Sequence, residues 1–134
     1  MFNKKFKIYF DQVDSAGILY FAAIFPLMHK TYEDLINSLN LDINYFNNDK
    51  FIVPIVHSEA DYLNPICLHE QIRIEISVSQ IRDSSFELNY TVKNIDDVKK
   101  VKAKTVHVLV NKNNFQKIPI PETLRSKLNS FFQK

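Results

Sequence analysis

The stretch DSAGILYF, residues Asp14 to Phe21, sets one carboxylate three positions before the only glycine of the chain and just ahead of an aromatic pair, Tyr20 and Phe21. Glycine serves where the backbone must take a positive φ, or where a ligand must approach it with no Cβ in the way. The segment that follows has helical periodicity from about Phe21, and the first N–H groups of a helix lack intrahelical acceptors and carry the positive end of its dipole. One loop thereby holds a carboxylate and an oxyanion donor. With a water or an acyl carbon between them, that pair has what hydrolysis needs. The plainer reading of the same spacing is that Asp14 and Ser15 shape the loop or cap the helix, and spacing alone leaves both open.

The other reactive side chains are scattered. His29, His57, His69 and His107 form no H-x-x-x-H pair and no Cys/His cluster, which argues against a zinc site. His57, Glu59 and Asp61 alternate and so share one face of a strand, either as a base with carboxylate neighbours or as a hydrogen-bonded structural group. Glu33 falls among Lys30, Asp34 and Asn37 on the polar side of the helical pattern, the place for a solvated side chain. Cys67, beside Pro65 and Ile66, reads as a small packed side chain rather than a nucleophile. One glycine excludes a phosphate-binding P-loop and a dinucleotide fingerprint.

The elements that must position Asp14 follow from periodicity. Lys5 to Phe10 alternate as a first strand. Phe21, Phe25, Met28, Tyr32, Leu35 and Leu39 recur at steps of four and three, an amphipathic helix with Pro26 acceptable in its first turn. FIVPIVHSEADYL is rich in β-formers, Ile72 to Val78 and Phe86 to Val92 alternate as two arms of a hairpin about RDSS, and VKAKTVHVLV is a further strand. PETLRSKLNSFF closes as a short helix opened by Pro121. The order is a strand, a long helix, then four strands in meander-like succession, with no internal repeat. The simplest architecture is α+β, an antiparallel sheet wrapped around the long helix as a single domain over residues 1–134. One layer of this kind leaves surface for a second copy to cover, so a homodimer is expected.

Composition narrows the function classes. The 134 residues are 46% hydrophobic, with 11 Phe, 6 Tyr and no Trp, flat apolar surface suited to a subunit interface or an apolar ligand slot, though core packing explains it equally. A net charge of +2 without basic runs speaks against nucleic acid. No segment approaches the ~20 apolar residues of a membrane span, and the opening MFNKKFKIYF lacks the apolar stretch of a signal peptide. With a single cysteine, the expectation is a cytoplasmic protein in a reducing compartment.

FDQVDSAGILYFAAIFPLMHKTYEDLI resembles the opening of the hotdog-fold acyl-CoA thioesterases of the 4-hydroxybenzoyl-CoA thioesterase type, in which a D-x-x-G-[IV]-x-[YF] loop leads into the central helix. PIVHSEADYLNPICLHEQIRI, SSFELNYTV and AKTVHVLVN with KIPIPETL are similar to the family's later strands in order, so nearly the whole chain is covered. His29, Pro54 to His57, Asp61, Pro65 and the strand of His107 are most similar to the branch that hydrolyses 1,4-dihydroxy-2-naphthoyl-CoA. The resemblance implies a hotdog fold, an acyl-CoA substrate, no separate cofactor, no metal, and a homodimer or homotetramer. It implies Asp14 as the catalytic carboxylate, nucleophile or general base, the Phe21 backbone N–H as holder of the thioester oxygen, and Gly17 as the residue keeping the loop clear of substrate. A free aspartate is ionised at neutral pH and needs no histidine to play either part. Tyr20, His57 and Arg82 become substrate contacts, Arg82 at the turn where relatives carry basic residues for coenzyme A phosphates. Lys100, Lys102 and Lys104, alternating on one strand face, are either further contacts to the nucleotide or a solvated, aggregation-resistant edge. The chain departs from the family at Gln12, where many members carry a second acid; here the acid is Asp11.

Overall fold

Side chains that alternate between apolar and polar can cover one face of a sheet, and five such strands pair in the computed structural model, which describes residues 1–133. In chain order the elements are β1 (Phe2–Lys7), α1 (Ile24–Ser38), β2 (Phe51–Ile52), β3 (Ile55–Tyr62), β4 (Gln71–Ile81), β5 (Ser85–Asn94), β6 (Lys99–Val108), β7 (Val110–Asn111) and α2 (Glu122–Asn129). The main sheet runs β1-β4-β5-β6-β3, antiparallel throughout, and β2 pairs with β7 apart from it. Ile74 lies opposite Val92 and Ile76 opposite Tyr90, and these inward side chains are buried. Each large apolar side chain fully buried there contributes about 1.5–3 kcal/mol. The outward alternates carry charge, with Arg73 bonded to Glu75 and Asp97, and Lys93 to Glu75.

Only part of the expected succession is a meander. β4, β5 and β6 follow one another, but β3 crosses to the far edge beside β6 and β1 fills the place next to β4. The first strand also ends earlier than Lys5 to Phe10 suggests. Beyond Ile8 the chain turns through a 3-10 segment, Phe10–Gln12, because the Gln12 side chain accepts the Tyr9 N–H at 2.8 Å and so competes with strand pairing.

The helix begins as a 3-10 turn, Phe21–Ala23, and becomes α-helical at Ile24. Pro26 is third in α1, where its missing N–H costs nothing. The buried stripe keeps Met28, Tyr32, Leu35 and Leu39 of the expected one. Ile24, Leu27, Met28, Thr31, Tyr32, Leu35 and Ile36 are buried, whereas Phe25 is half-buried and Phe21 is exposed. The α1 backbone comes nearest β1 and β4, and its Tyr32 ring reaches across to His107 on β6. The inward face of β6 is buried, whereas β3, at the far edge, is exposed along nearly its whole length.

Candidate active site

The loop that carries Asp14 is built from local hydrogen bonds. The Gly17 N–H donates to the Asp14 carbonyl at 3.0 Å and the Asp14 N–H to the Ile18 carbonyl at 2.9 Å, closing a tight turn between Val13 and Leu19. Gly17 sits at φ +76°, the left-handed conformation that a side chain disfavours, and a Cβ there would have open space around it. The demand for glycine is therefore conformational within the chain. Asp14 Oδ1 accepts the Ala16 N–H at 2.9 Å, which fixes the carboxylate. The Gln12 carbonyl accepts the Tyr20 N–H at 2.8 Å. With its side chain on Tyr9, Gln12 clamps both ends of the segment.

Tyr20, extended at φ −60° and ψ 135°, hands the chain to the first helical turn. The next N–H, that of Phe21, meets no acceptor among the described residues, as expected for the orphan donors of a helix start. Asp14 and Phe21 line one cavity of about 440 Å³ together with Ile18, Tyr20, Tyr62 and Pro65. Its far wall is the end of β3, from which the Tyr62 hydroxyl donates to the Phe21 carbonyl. Partial burial raises the pKa of that hydroxyl, so it stays a proton donor. The arrangement offers a carboxylate oxygen and a free N–H to one ligand, with the peptide after Phe21 held from across the groove.

A second, more apolar cavity of about 620 Å³ follows along the same seam, with Phe25 and His29 on the helix and Ile55 and Ser58 on β3. Tyr90 and Thr105 form its floor. They belong to a buried polar string: Tyr90 Oη lies 2.8 Å from Thr105 Oγ1, which lies 2.7 Å from His107 Nε2. The His107 ring is stacked 4.9 Å from Phe86 and lies 4.4 Å from Tyr32. Burial, reinforced by the neighbouring His29, lowers its pKa to about 3, so the imidazole is neutral.

Asp14, Gly17, Tyr20 and Phe21 thus come together, while His57 and Arg82 do not join them within one chain. His57 pairs with the outward-facing Val106 and lies on the sheet face away from α1, its Nε2 2.8 Å from Glu59 Oε1. That contact holds the Glu59 carboxyl below its usual range. Arg82 is in the β4–β5 turn, beyond the pair Ile81 and Phe86 and hence at the Ile55 end of the sheet, whereas Asp14 is at the Tyr62 end. The lysine stripe is broken. A register shift between Val92 and Lys93 turns Lys100 inward, where its Nζ donates to the Pro65 carbonyl at 2.9 Å, while Lys102 and Lys104 stay outward opposite Asp61 and Glu59. Cys67 is exposed rather than packed, Ile66 taking the buried place, and Glu33 is exposed as expected. Tyr62, Tyr90 and Thr105 escaped the sequence reading. Their one signal is phase, since Tyr90 shares the inward face of Phe86, Leu88 and Val92, Thr105 that of Val101 and Ala103, and Tyr62 that of Ala60.

A 1,4-dihydroxy-2-naphthoyl-CoA hydrolase of Rippkaea orientalis is 32% identical over 123 residues, covering 90% of this chain and 89% of the relative. The crystal structure of a 1,4-dihydroxy-2-naphthoyl-CoA thioesterase from Synechocystis superposes with a TM-score of 0.87 at 22% identity, covering 96% of this chain and 95% of that one. A protein from Staphylococcus aureus solved in complex with CoA has the same fold, with a TM-score of 0.89 at 11% identity over 98% of this chain and 83% of its own. Residues 8–128 match the family model of the thioesterase-like superfamily, and with a carboxylate and a free helix-start N–H facing one cavity, the chain belongs to that superfamily of thioester hydrolases.

Proposed function

We propose that this protein hydrolyses an aromatic acyl-CoA, with 1,4-dihydroxy-2-naphthoyl-CoA as its substrate. The observation that carries the chemistry is the shared cavity of Asp14 and the unpaired Phe21 N–H. The naphthoyl assignment is supported by the hydrolase 32% identical over nine-tenths of the chain and by the large apolar cavity beside the site. In this reading the thioester oxygen accepts from the Phe21 N–H, and the helix start stabilises the charge that grows there, an effect worth roughly 100- to 1,000-fold in turnover. Asp14 either attacks the acyl carbon, giving a mixed anhydride that water then hydrolyses to free the carboxylate, or takes a proton from the attacking water. The C–S bond breaks, coenzyme A departs as the thiol once protonated, and the acid remains. No cofactor is required beyond the coenzyme A that the substrate brings.

The reading includes a homodimer, in a cytoplasmic setting that suits a single free cysteine. β3 is an edge strand with unpaired backbone groups, flanked by the exposed Val56, Tyr62, Leu63 and Phe21. Antiparallel pairing of β3 with its counterpart brings the Ile55 end of one sheet to the Tyr62 end of the other. Arg82 of the partner subunit then approaches the Asp14 cavity, which supports a contact to coenzyme A phosphate from across the seam.

The test is free-thiol release from naphthoyl, hydroxybenzoyl and short and long aliphatic CoA thioesters, with Asp14→Asn in parallel. Preference for the dihydroxynaphthoyl thioester, abolished in a folded variant, is the expected result. Preference for short chains would retain the mechanism and move the substrate. Full turnover by Asp14→Asn would remove the carboxylate from the chemistry, and tight binding without thiol release would make the protein an acyl-CoA binding module.

A further inference from the structure

The floor of the 620 Å³ cavity carries more hydrogen-bond donors than the chain can use. His107 is fully buried and its Nδ1 has no partner. A buried N–H without an acceptor costs more than an idle lone pair, so the single proton of the neutral imidazole belongs on Nε2, where it donates to Thr105 Oγ1. Thr105 and Tyr90 then face one another with two hydroxyl protons and one bond between them. Among the described residues no other acceptor takes the remaining proton. Both hydroxyl-bearing residues are almost completely buried and both line the cavity, whose other lining residues are Phe25, Pro26, Met28 and Ile55 with the polar His29 and Ser58 toward its mouth on α1 and β3.

We propose that the Tyr90–Thr105 hydroxyl pair is a specificity-determining element that donates one hydrogen bond to an oxygen substituent on the ring of the acyl group. The proposal rests on the hydrolase reading for the nature of the ligand, and adds which ring chemistry the pocket selects. An unsubstituted ring would expel water from the cavity and leave the donor unpaired. A ring bearing a hydroxyl or other oxygen acceptor replaces that water. The string works by position and not by charge, since the imidazole behind it is neutral and serves to take up one lone pair of Thr105.

The test is calorimetric titration of the whole protein with 1,4-dihydroxy-2-naphthoate, 1,4-dimethoxy-2-naphthoate and 2-naphthoate, a readout independent of turnover. The wild type is expected to bind the two oxygenated acids about tenfold or more tighter than 2-naphthoate. Tyr90→Phe keeps the preference, because Thr105 retains a free proton. Tyr90→Phe combined with Thr105→Val loses it while still binding 2-naphthoate. Should that double variant not fold, the comparison in the wild type stands alone, since a methoxy oxygen accepts but cannot donate. Equal affinity for all three acids, no binding of any of them, loss confined to the dimethoxy acid, or a preference that survives removal of both hydroxyls overturns the inference. Thiol release separates the two claims: hydrolysis of the thioesters without ring preference removes the inference and leaves the hydrolase, whereas ring preference without hydrolysis removes the hydrolase and leaves the pocket.

Discussion

Asp14 is positioned by its own loop, and Phe21 by a residue 41 positions away. The consequences of disturbing each differ. Gly17→Ala forces a side chain into a left-handed backbone and is expected to cost about 1 kcal/mol of stability, read as a lower urea midpoint, with the loop's hydrogen bonds the first to loosen. Tyr62→Phe removes only the hydroxyl that ties β3 to the Phe21 carbonyl. If that tie aims the preceding N–H at the thioester oxygen, kcat falls about tenfold, the worth of one hydrogen bond in the transition state, while KM is nearly unchanged. A rise in KM at constant kcat would show instead that Tyr62 merely lines the pocket. Asp14→Asn has the largest expected effect, a loss of roughly 100- to 10,000-fold in kcat, with the circular dichroism spectrum retained.

At the scale of elements, the place of β3 at the edge of the sheet decides what the site can do. Phe21 and Phe25, expected in the helix core, instead line cavities between the start of the helix and β3. The strand order leaves β3 as an uncovered edge. Val56→Asp puts a charge on its most exposed apolar residue. Light scattering is expected to give twice the chain mass for the wild type and a shift toward the monomer for the variant, with activity falling in step if the partner completes the site. A variant that stays dimeric would move the interface off β3. The loop between β3 and β4 is held by Glu70. Burial raises its pKa, but the Cys67 N–H, Asn94 and Lys100 together outweigh that and hold the carboxyl below its ordinary range. A depressed carboxylate adds stability above its unfolded pKa that is lost as pH falls through the folded one. Glu70→Gln is therefore expected to melt lower than the wild type at neutral pH and to converge with it in acid.

For the whole molecule, the buried string makes stability depend on pH at a higher range. His107 falls from an ordinary 6.5 to about 3 on folding, so between those values the unfolded chain binds one more proton than the folded one. The stabilisation is complete above the unfolded pKa and declines as pH drops, by about 1.4 kcal/mol per unit. Urea unfolding at about pH 7.5 and about pH 5 should show this slope in the wild type and its loss in His107→Phe. An unchanged slope in the variant would assign the dependence to other groups.

The strand and helix content, the Asp14 loop and its handover to a helix at Phe21 were determined by local chemistry: period-two and period-four apolar patterns, one glycine and a run of short-range hydrogen bonds. These are legible in sequence because the interacting groups are near neighbours. The crossing of β3 to the far edge, the bulge that turns Lys100 inward, the separation of His57 and Arg82 from Asp14, and the meeting of Tyr62 with Phe21 and of Tyr90 with Thr105 were decided only in the tertiary structure. Each depends on which strands pair and in what register. A shift of one residue reverses the face on which a side chain stands, and no local pattern in this chain states that register.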